Sequence, residues 1–588
     1  MNLNNHPMEN TVLSSLNKKQ RDAVLKHLGP SVILAGAGSG KTRALVAKVI
    51  HLIKDHNVSP KSILMITFTN KAASEMKSRI GNYSLGFIGT FHSFCVRILR
   101  IEAENAGLKD NFVIYDDDDQ TSVIKSIIKD EFGKRYTPSY FSNKISSAKN
   151  QLLTPVRFLE LFGSYSANVD VGKVYAKYQQ QLKENNAVDF DDLIMLTVQL
   201  FRKNKSVLEK YQEKYRYILI DEFQDTNTAQ YELAKLLGGK YKNVTVVGDF
   251  SQSIYSWRGA EITNLDKFKK DFAGSTSFLL EENYRSTQKI LDFAYSVISK
   301  NTTHPILQLY TKNTTRGDDI TFYEADSDEE EAIYIALNIE NLSKIYPQNQ
   351  IAVLYRTNAQ SRSLEEAFLH RGIPYMLVGG VRFYERREIK DILSMLRLIV
   401  NPVDKVSSER ISKLGKRRWA DFKRFYDENK DEVGKKETAE FIEGAIDAVG
   451  YMKMFDPDSE EDFSRIENIK ELKSVALSHP DLTSFLEQVA LVESEYFAGE
   501  KKSREGVRLM TLHQAKGLEF KAVFIVGVEE GILPHARSVD DVYALEEERR
   551  LFYVGVTRAK ERLHITWAKR RFIYGRRGES IRSRFLEE

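Results

Sequence analysis

The sequence predicts an α/β protein with two parallel-sheet cores, each interrupted by a helical insertion. Three observations predict it. Short apolar runs alternate with helix-like segments through the first third of the chain, beginning at Val32-Ile33-Leu34-Ala35. The alternation returns from Ile351 onward. Between and within these stretches lie long, polar, helix-rich segments. Strands alternating with helices build a parallel sheet, with ligands at the strands' carboxyl ends.

The bulk numbers agree. A length of 588 residues corresponds to about four domains at roughly 150 residues each. Hydrophobic residues make up 42% and charged residues 29%, which excludes disorder, collagen and coiled coil as the main state. With 32 glycines and 12 prolines, long regular elements are favoured. No run of 18 apolar residues exists, so no spanning helix is expected. Met1 to Gln20 is polar and lacks the apolar stretch of a secretion signal. The single cysteine, Cys95, excludes an internal disulfide and a cysteine-based zinc site, and its apolar neighbours predict a buried small hydrophobe. The net charge of +4 is too mild to indicate nucleic acid by itself, so basic residues must cluster if such a partner exists.

In order, Val32 to Ala35 reads as a buried strand, followed by a Gly-rich turn and a helix from Ala44 to Lys54. Ser62 to Thr67 is a second strand and Lys71 to Ile80 a second helix. A helical, polar stretch from about Phe94 to Leu208 reads as an insertion. Tyr217 to Ile220 and Val244 to Val247 are further strands, each ending at an acidic residue or a Gly-Asp pair. In the second core, Ile351 to Tyr355, Val507 to Thr511, Ala522 to Val526 and Leu563 to Thr566 read as strands. Ser361 to Arg371 and Leu545 to Arg558 read as helices, and Glu385 to Glu505 as a second helical insertion. The charge runs Asp326 to Glu331 and Lys413 to Arg418 are expected to be solvated faces.

Chemistry is carried first by Ala35-Gly36-Ala37-Gly38-Ser39-Gly40-Lys41-Thr42. It fits the phosphate-binding loop pattern, with Ala35 at the position a glycine usually takes. The glycines let backbone N–H groups face phosphates, Lys41 reaches the β/γ-phosphates, and the Thr42 hydroxyl is placed for Mg²⁺. Asp221 and Glu222 end a strand as adjacent carboxylates. Asp221 suits the Mg²⁺ shell, and Glu222 suits orienting or deprotonating an attacking water. These two motifs alone predict a nucleotide hydrolase.

The residues then resemble a family, the superfamily 1A DNA helicases of the UvrD/PcrA/Rep type. The resemblance runs from Leu16 to about Phe585 in the family's motif order: Leu16 to Gln20, the 35–42 loop (where Ala35 is usual), Thr67 to Ala73, Gly89 to Phe94, Asp189 to Leu193, Asp221 to Asp225, Gly248 to Ala260, Glu282 to Ser286, Thr511 to Phe520 and Arg549 to Lys560. It implies two RecA-like motor domains with insertions: 1A at 1–94 and 209–285, 1B at 95–208, 2A at 286–384 and 506–588, and a short 2B at 385–505.

The resemblance also implies roles. Gln20 would read the adenine, and Tyr284 would stack on it. Gly36 to Thr42 with Arg43 would line the nucleotide, and Glu519 would accept from the ribose. Gln252 would sense the γ-phosphate. Arg285 and Arg558 would stabilise the charge that phosphoryl transfer spreads over the γ-oxygens. Single-stranded nucleic acid needs aromatic platforms beside a cationic groove, so Phe68, Tyr255, Trp257 and Arg258 are expected DNA contacts, with Asn70 beside them; His92 and His513 are expected to hydrogen-bond DNA phosphate or to make interdomain contacts, not to bind metal. The implied activity is a 3′→5′ DNA helicase and single-strand translocase using ATP and Mg²⁺, on single-stranded and 3′-tailed duplex DNA. It would be cytoplasmic, with no membrane partner, acting as a monomer or transient dimer.

Two departures are expected to matter. The second insertion lacks the paired Gly-Ile-Gly hairpins that grip duplex, with Leu414 to Arg418 as a remnant, so duplex contact is expected to be weak. The chain stops soon after Lys560, leaving no room for a nuclease domain or an extended tail. A catalytically dead DNA-binding scaffold is disfavoured by the intact Lys41, Asp221, Glu222, Gln252, Arg285 and Arg558.

Overall fold

Val32 to Leu34, flanked by Ser31 and Ala35, forms a strand with every residue buried, as a continuous apolar run requires when both faces of a parallel sheet are covered. The computed structural model describes residues 11–132, 136–313, 317–499, 505–573 and 576–587. The chain divides into two units: Met1–Arg285 with Asn301–Lys312, and Ser286–Lys300 with Asn313–Glu588.

In the first unit, β1 (Ser31–Ala35), β2 (Ile63–Thr67), β3 (Phe87–Thr90), β4 (Tyr217–Ile220), β5 (Val244–Gly248) and β6 (Thr276–Leu280) form one sheet in the order β3-β2-β4-β5-β1-β6. Every pairing is parallel. Ser31 stands opposite both Thr245 and Thr276. Because the strands are parallel, all their carboxyl ends lie along one edge. That edge carries Gly36 after β1, Phe68 after β2, Asp221 after β4, Asp249 after β5 and Glu281 after β6.

Between β3 and β4 the chain is mostly helical, from Phe91–Ile101 to Lys205–Lys214. This part has its own apolar cluster around Phe141, Ile145, Val174 and Tyr178. Beside that cluster sits Lys149, fully buried. An unpaired buried ammonium is very costly. Here it meets Asp189 at 2.6 Å and Asp192 at 2.9 Å, and the Tyr178 hydroxyl donates to Asp189 at 3.0 Å. Burial alone would depress the Lys149 pKa, but the two carboxylates outweigh it and hold the ammonium charged.

In the second unit, β7 (Thr321–Ala325), β8 (Ile351–Tyr355), β9 (Tyr375–Leu377), β10 (Val507–Thr511), β11 (Phe520–Ile525) and β12 (Ala559–Ala568) form a second parallel sheet, ordered β9-β10-β8-β11-β12-β7. Helices from Arg387–Val400 to Leu482–Gly499 lie between β9 and β10. One apolar cluster runs from Val353 and Phe524 of this sheet into Ile392, Ile442 and Leu472 of those helices. Residues 500–504 of the predicted second insertion lie outside the described residues.

The fold class is as the sequence predicts: α/β, with two six-stranded parallel sheets. The eight expected strands all form: three have the expected bounds, four have ends shifted by a residue or two, and the last runs from Ala559 to Ala568 in place of Leu563 to Thr566. Four strands of these two sheets were not anticipated: β3, β6, β7 and β9. β9 is only three residues long, and β7 alternates between half-exposed and exposed positions until Ala325, so neither presents a long apolar run.

The expectation of a solvated face at Asp326 to Glu331 needs correction. Glu331 is buried. It accepts from Thr566 Oγ1 at 2.6 Å and from the Gly527 N–H at 3.0 Å, and it pairs with the Arg571 guanidinium. Arg571 also pairs with Glu529 at 2.8 Å. A charge count along the sequence cannot show that one carboxylate of the run turns inward to a cation 240 positions away.

Candidate nucleotide site and aromatic cluster

The loop after β1 closes on itself before the helix Lys41–Asp55 begins. Ser39 Oγ donates to the Gly36 carbonyl at 2.8 Å. Gly38 and Gly40 have φ of +66° and +82°, values that favour glycine. A Cβ on Gly40 would also lie 2.7 Å from Gln20 Nε2. Thr42 follows Lys41 in the helix's first turn, half-exposed, and the exposed Arg43 donates to the Ser15 carbonyl at 2.6 Å.

Lys41 Nζ lies 3.1 Å from Glu222 Oε2. Burial would lower the lysine's pKa, but the charges of Glu222, Asp249 and Asp221 outweigh it and raise it above the ordinary value. Asp221 is buried, and burial together with the Glu222 charge pushes its carboxyl up to about 7. Among the described residues its Oδ1 has no hydrogen-bond partner. A buried, orphaned carboxylate oxygen is costly unless something meets it, and a carboxylate oxygen and a hydroxyl such as that of Thr42 are the donor types a hard divalent cation such as Mg²⁺ takes. Glu222 takes a left-handed conformation at φ +53°, uncommon for a non-glycine residue and concentrated at functional sites. Its Oε2 also accepts from Gln224 Nε2 at 2.6 Å. Gln252 is buried, and its Nε2 donates to Asp249 Oδ2 at 2.6 Å.

Gln20 is fully buried beneath the loop. Its Nε2 donates to the Ser39 carbonyl at 2.8 Å, and its Oε1 accepts from the Asn17 N–H at 3.1 Å. It therefore braces the loop as well as standing next to it. Tyr284 is 51% exposed, leaving a ring face available. Its N–H donates to the Gly38 carbonyl at 3.0 Å, and its hydroxyl accepts from Asn17 Nδ2 at 2.8 Å. Arg285 is half-buried, with its Cβ where a side chain on Gly38 would collide.

The sequence did not point to Asn283. This buried residue donates from Nδ2 to the Ala37 carbonyl at 2.6 Å and accepts the Arg285 N–H at 2.7 Å. It fixes Arg285 relative to the loop. Its place between Glu282 and Tyr284 in a recognised motif was the only available signal.

In the second unit, Arg558 is buried, with Nε on the Val554 carbonyl at 2.9 Å and Nη1 on the Leu518 carbonyl at 3.2 Å. Glu519 pairs with Lys560 at 2.5 Å. His513 is half-buried at the end of β10.

The predicted aromatic residues of the first unit come together. Phe68 and Tyr255 stack with centroids 6.4 Å apart and planes 3° from parallel. Trp257 meets Tyr255 edge-on at 6.4 Å and is 51% exposed. The Arg258 guanidinium lies 4.5 Å from the Trp257 ring centroid. Asn70 is exposed at the start of the helix Asn70–Ile80. His92 is half-buried, its pKa lowered by burial, and it meets the exposed Phe190 ring edge-on at 6.0 Å. Phe190 sits in the Asp189 to Leu193 motif, but its role was not read from the sequence.

A strand, a phosphate-type loop, a helix and a carboxylate pair at the end of β4, separated from β1 by β5 alone, define a P-loop nucleotide hydrolase. Residues 16–273 match the UvrD/REP helicase N-terminal domain, and residues 278–434 and 421–570 match the UvrD-like helicase C-terminal domain. The chain belongs to the UvrD/REP helicase family. It is 42% identical over 639 residues to the ATP-dependent DNA helicase PcrA of Staphylococcus epidermidis strain ATCC 35984, covering 98% of this chain and 87% of the relative. It is 42% identical over 637 residues, with the same coverage, to the PcrA of Staphylococcus aureus strain Mu50.

Proposed function

We infer that this chain is an ATP-dependent DNA helicase that moves 3′→5′ along single-stranded DNA and separates duplex, serving DNA repair and replication. The observation that carries the reading is the single segment Asp249 to Arg258. Its first residues join Gln252 to Asp249 beside Lys41, and its last present Tyr255, Trp257 and Arg258. One short stretch therefore spans the nucleotide residues and the base-stacking residues, which is what coupling hydrolysis to movement requires.

In this reading the loop N–H groups and Lys41 hold the β- and γ-phosphates, and Tyr284 stacks on the base. Glu222 takes the proton of the attacking water. Arg285, with Arg558 from the second unit, stabilises charge on the γ-oxygens. Gln20 and Arg43 border the nucleotide, and Glu519 meets the ribose. Asp221 and Thr42 would hold Mg²⁺, which when bound supplies charge neutralisation on the phosphates. Phe68, Asn70, His92, Tyr255, Trp257 and Arg258, with His513, contact single-stranded DNA. Among the described residues no helix is long and apolar enough to cross a membrane. A cytoplasmic monomer or transient dimer, acting on 3′-tailed duplex, completes the proposal.

The aligned stretch with the relatives, 639 positions, exceeds the 588 residues of this chain. The relatives therefore carry residues within the aligned stretch that this chain lacks.

The deciding experiment is strand displacement with ATP on 3′-tailed and 5′-tailed duplexes. Displacement from the 3′ tail alone is expected; displacement from the 5′ tail alone would reverse the assignment. Trp257→Ala removes a stacking platform worth about 1–3 kcal/mol per base. DNA-stimulated ATPase should fall, while DNA-free ATPase changes little. Equal loss of both would make Trp257 a packing residue.

A further inference from the structure

The chain leaves the first unit after Arg285 and returns to it for residues Asn301–Lys312. This returning strap touches three parts of the nucleotide site. His304, buried, places Nε2 3.1 Å from Ser251 Oγ. Leu309, also buried, lies against the loop: a Cβ on Gly36 would be 2.2 Å from its Cδ2. Tyr310 donates its N–H to the Glu281 carbonyl at 3.0 Å and accepts the Asn283 N–H at 2.7 Å. Lys312 pairs with Glu282 at 2.9 Å.

Ser251 occupies a particular place. Its N–H donates to Asp249 Oδ1 at 3.1 Å, and the next residue, Gln252, donates to the other oxygen of the same carboxylate. The turn Phe250–Gln252 is a single 3-10 turn, whose hydrogen-bond geometry is poorer than that of an α-helix. His304 supplies a bond from outside it.

We propose that the strap 301–312 is a positioning element for ATP hydrolysis, in which His304 acts as a positioning residue, holding through Ser251 the turn that aims Gln252. The proposal rests on the nucleotide-hydrolase reading above. His304 touches no reacting atom in this scheme. Its effect is on how often Gln252 is correctly placed, so it belongs to the turnover rate and not to nucleotide affinity.

The test is steady-state ATPase of the full chain with a saturating single-stranded oligonucleotide, beside thermal unfolding of each variant. His304→Ala is expected to lower kcat about tenfold, the order of loss that a small misplacement brings. KM for ATP should stay within about twofold and the unfolding midpoint close to wild type. His304→Gln, whose carboxamide reaches about as far as the imidazole Nε2, should restore most of kcat. Ser251→Ala should repeat the loss, and the double variant should be no worse than either single one, because both remove the same bond. Unchanged kcat in His304→Ala overturns the proposal. So do additive losses, or a loss that follows the unfolding midpoint and is not rescued by His304→Gln. A wild-type chain without ATPase activity overturns the function and this proposal together, whereas an active wild type with an unaffected His304→Ala overturns the proposal alone.

Discussion

Lys41→Ala is expected to remove ATP turnover while single-strand binding persists. Lys41 is the cation that three carboxylates, Glu222, Asp249 and Asp221, share. Its loss takes away the phosphate contact and leaves those acids without their counter-charge. Asp221 is already pushed up to about 7 by burial and Glu222, so without the ammonium it would bind a proton more readily and hold a divalent cation less well. Removing one preorganised electrostatic group from such a site costs about 10²–10³-fold, and here the second effect adds to it. The aromatic cluster around Trp257 is built from other segments, so oligonucleotide affinity should change little. The measurements are ATPase with saturating oligonucleotide and anisotropy of a labelled strand. Turnover near wild type would sink the assignment of the loop.

Glu222→Gln should leave ATP binding in place and slow hydrolysis by about 10²–10⁴-fold, the range for a general base. Glutamine keeps the length of the side chain and an oxygen that can accept from Lys41, now 3.1 Å away, so the left-handed backbone at this position faces no new steric demand. What it loses is the ability to take a proton. Labelled-ATP retention measured beside single-turnover hydrolysis separates the two effects. Loss of binding, or hydrolysis at the wild-type rate, would remove Glu222 from the role of base.

The parts of this protein that were legible in the sequence are those whose chemistry is local. A loop of alternating glycines ending in Lys-Thr, two carboxylates at a strand end and a Tyr-x-Trp-Arg run can each be picked out within a few residues, and the structure brings their side chains into close clusters. The two parallel cores were legible for the same reason, since buried strands such as Ile351–Tyr355 read as unbroken apolar runs. What stayed hidden depends on distant partners. Asn283 reaches the loop at Ala37 across 246 positions, and no local pattern marks an asparagine as a brace. Gln20 was read for a ligand, yet both ends of its amide are engaged by the protein's own backbone. Glu331 looked like one more charge at a helix start until Arg571 closed on it.

That last ion pair bears on how the chain acquires its structure during synthesis. β7, at residues 321–325, has β12, at 559–568, as its sheet neighbour, and Glu331 waits for Arg571. On the ribosome, the first unit has all its strands once residue 280 has emerged and its strap once residue 312 has. The second unit has neither its edge strand secured nor its buried carboxylate neutralised until β12 and then Arg571, 240 positions after Glu331, are made. Closing such long-range pairings is slow and leaves apolar strand edges uncovered meanwhile. The first unit is therefore expected to become protease-resistant co-translationally, while the second completes only after its C-terminal strands appear, which makes it the half that chaperones would attend.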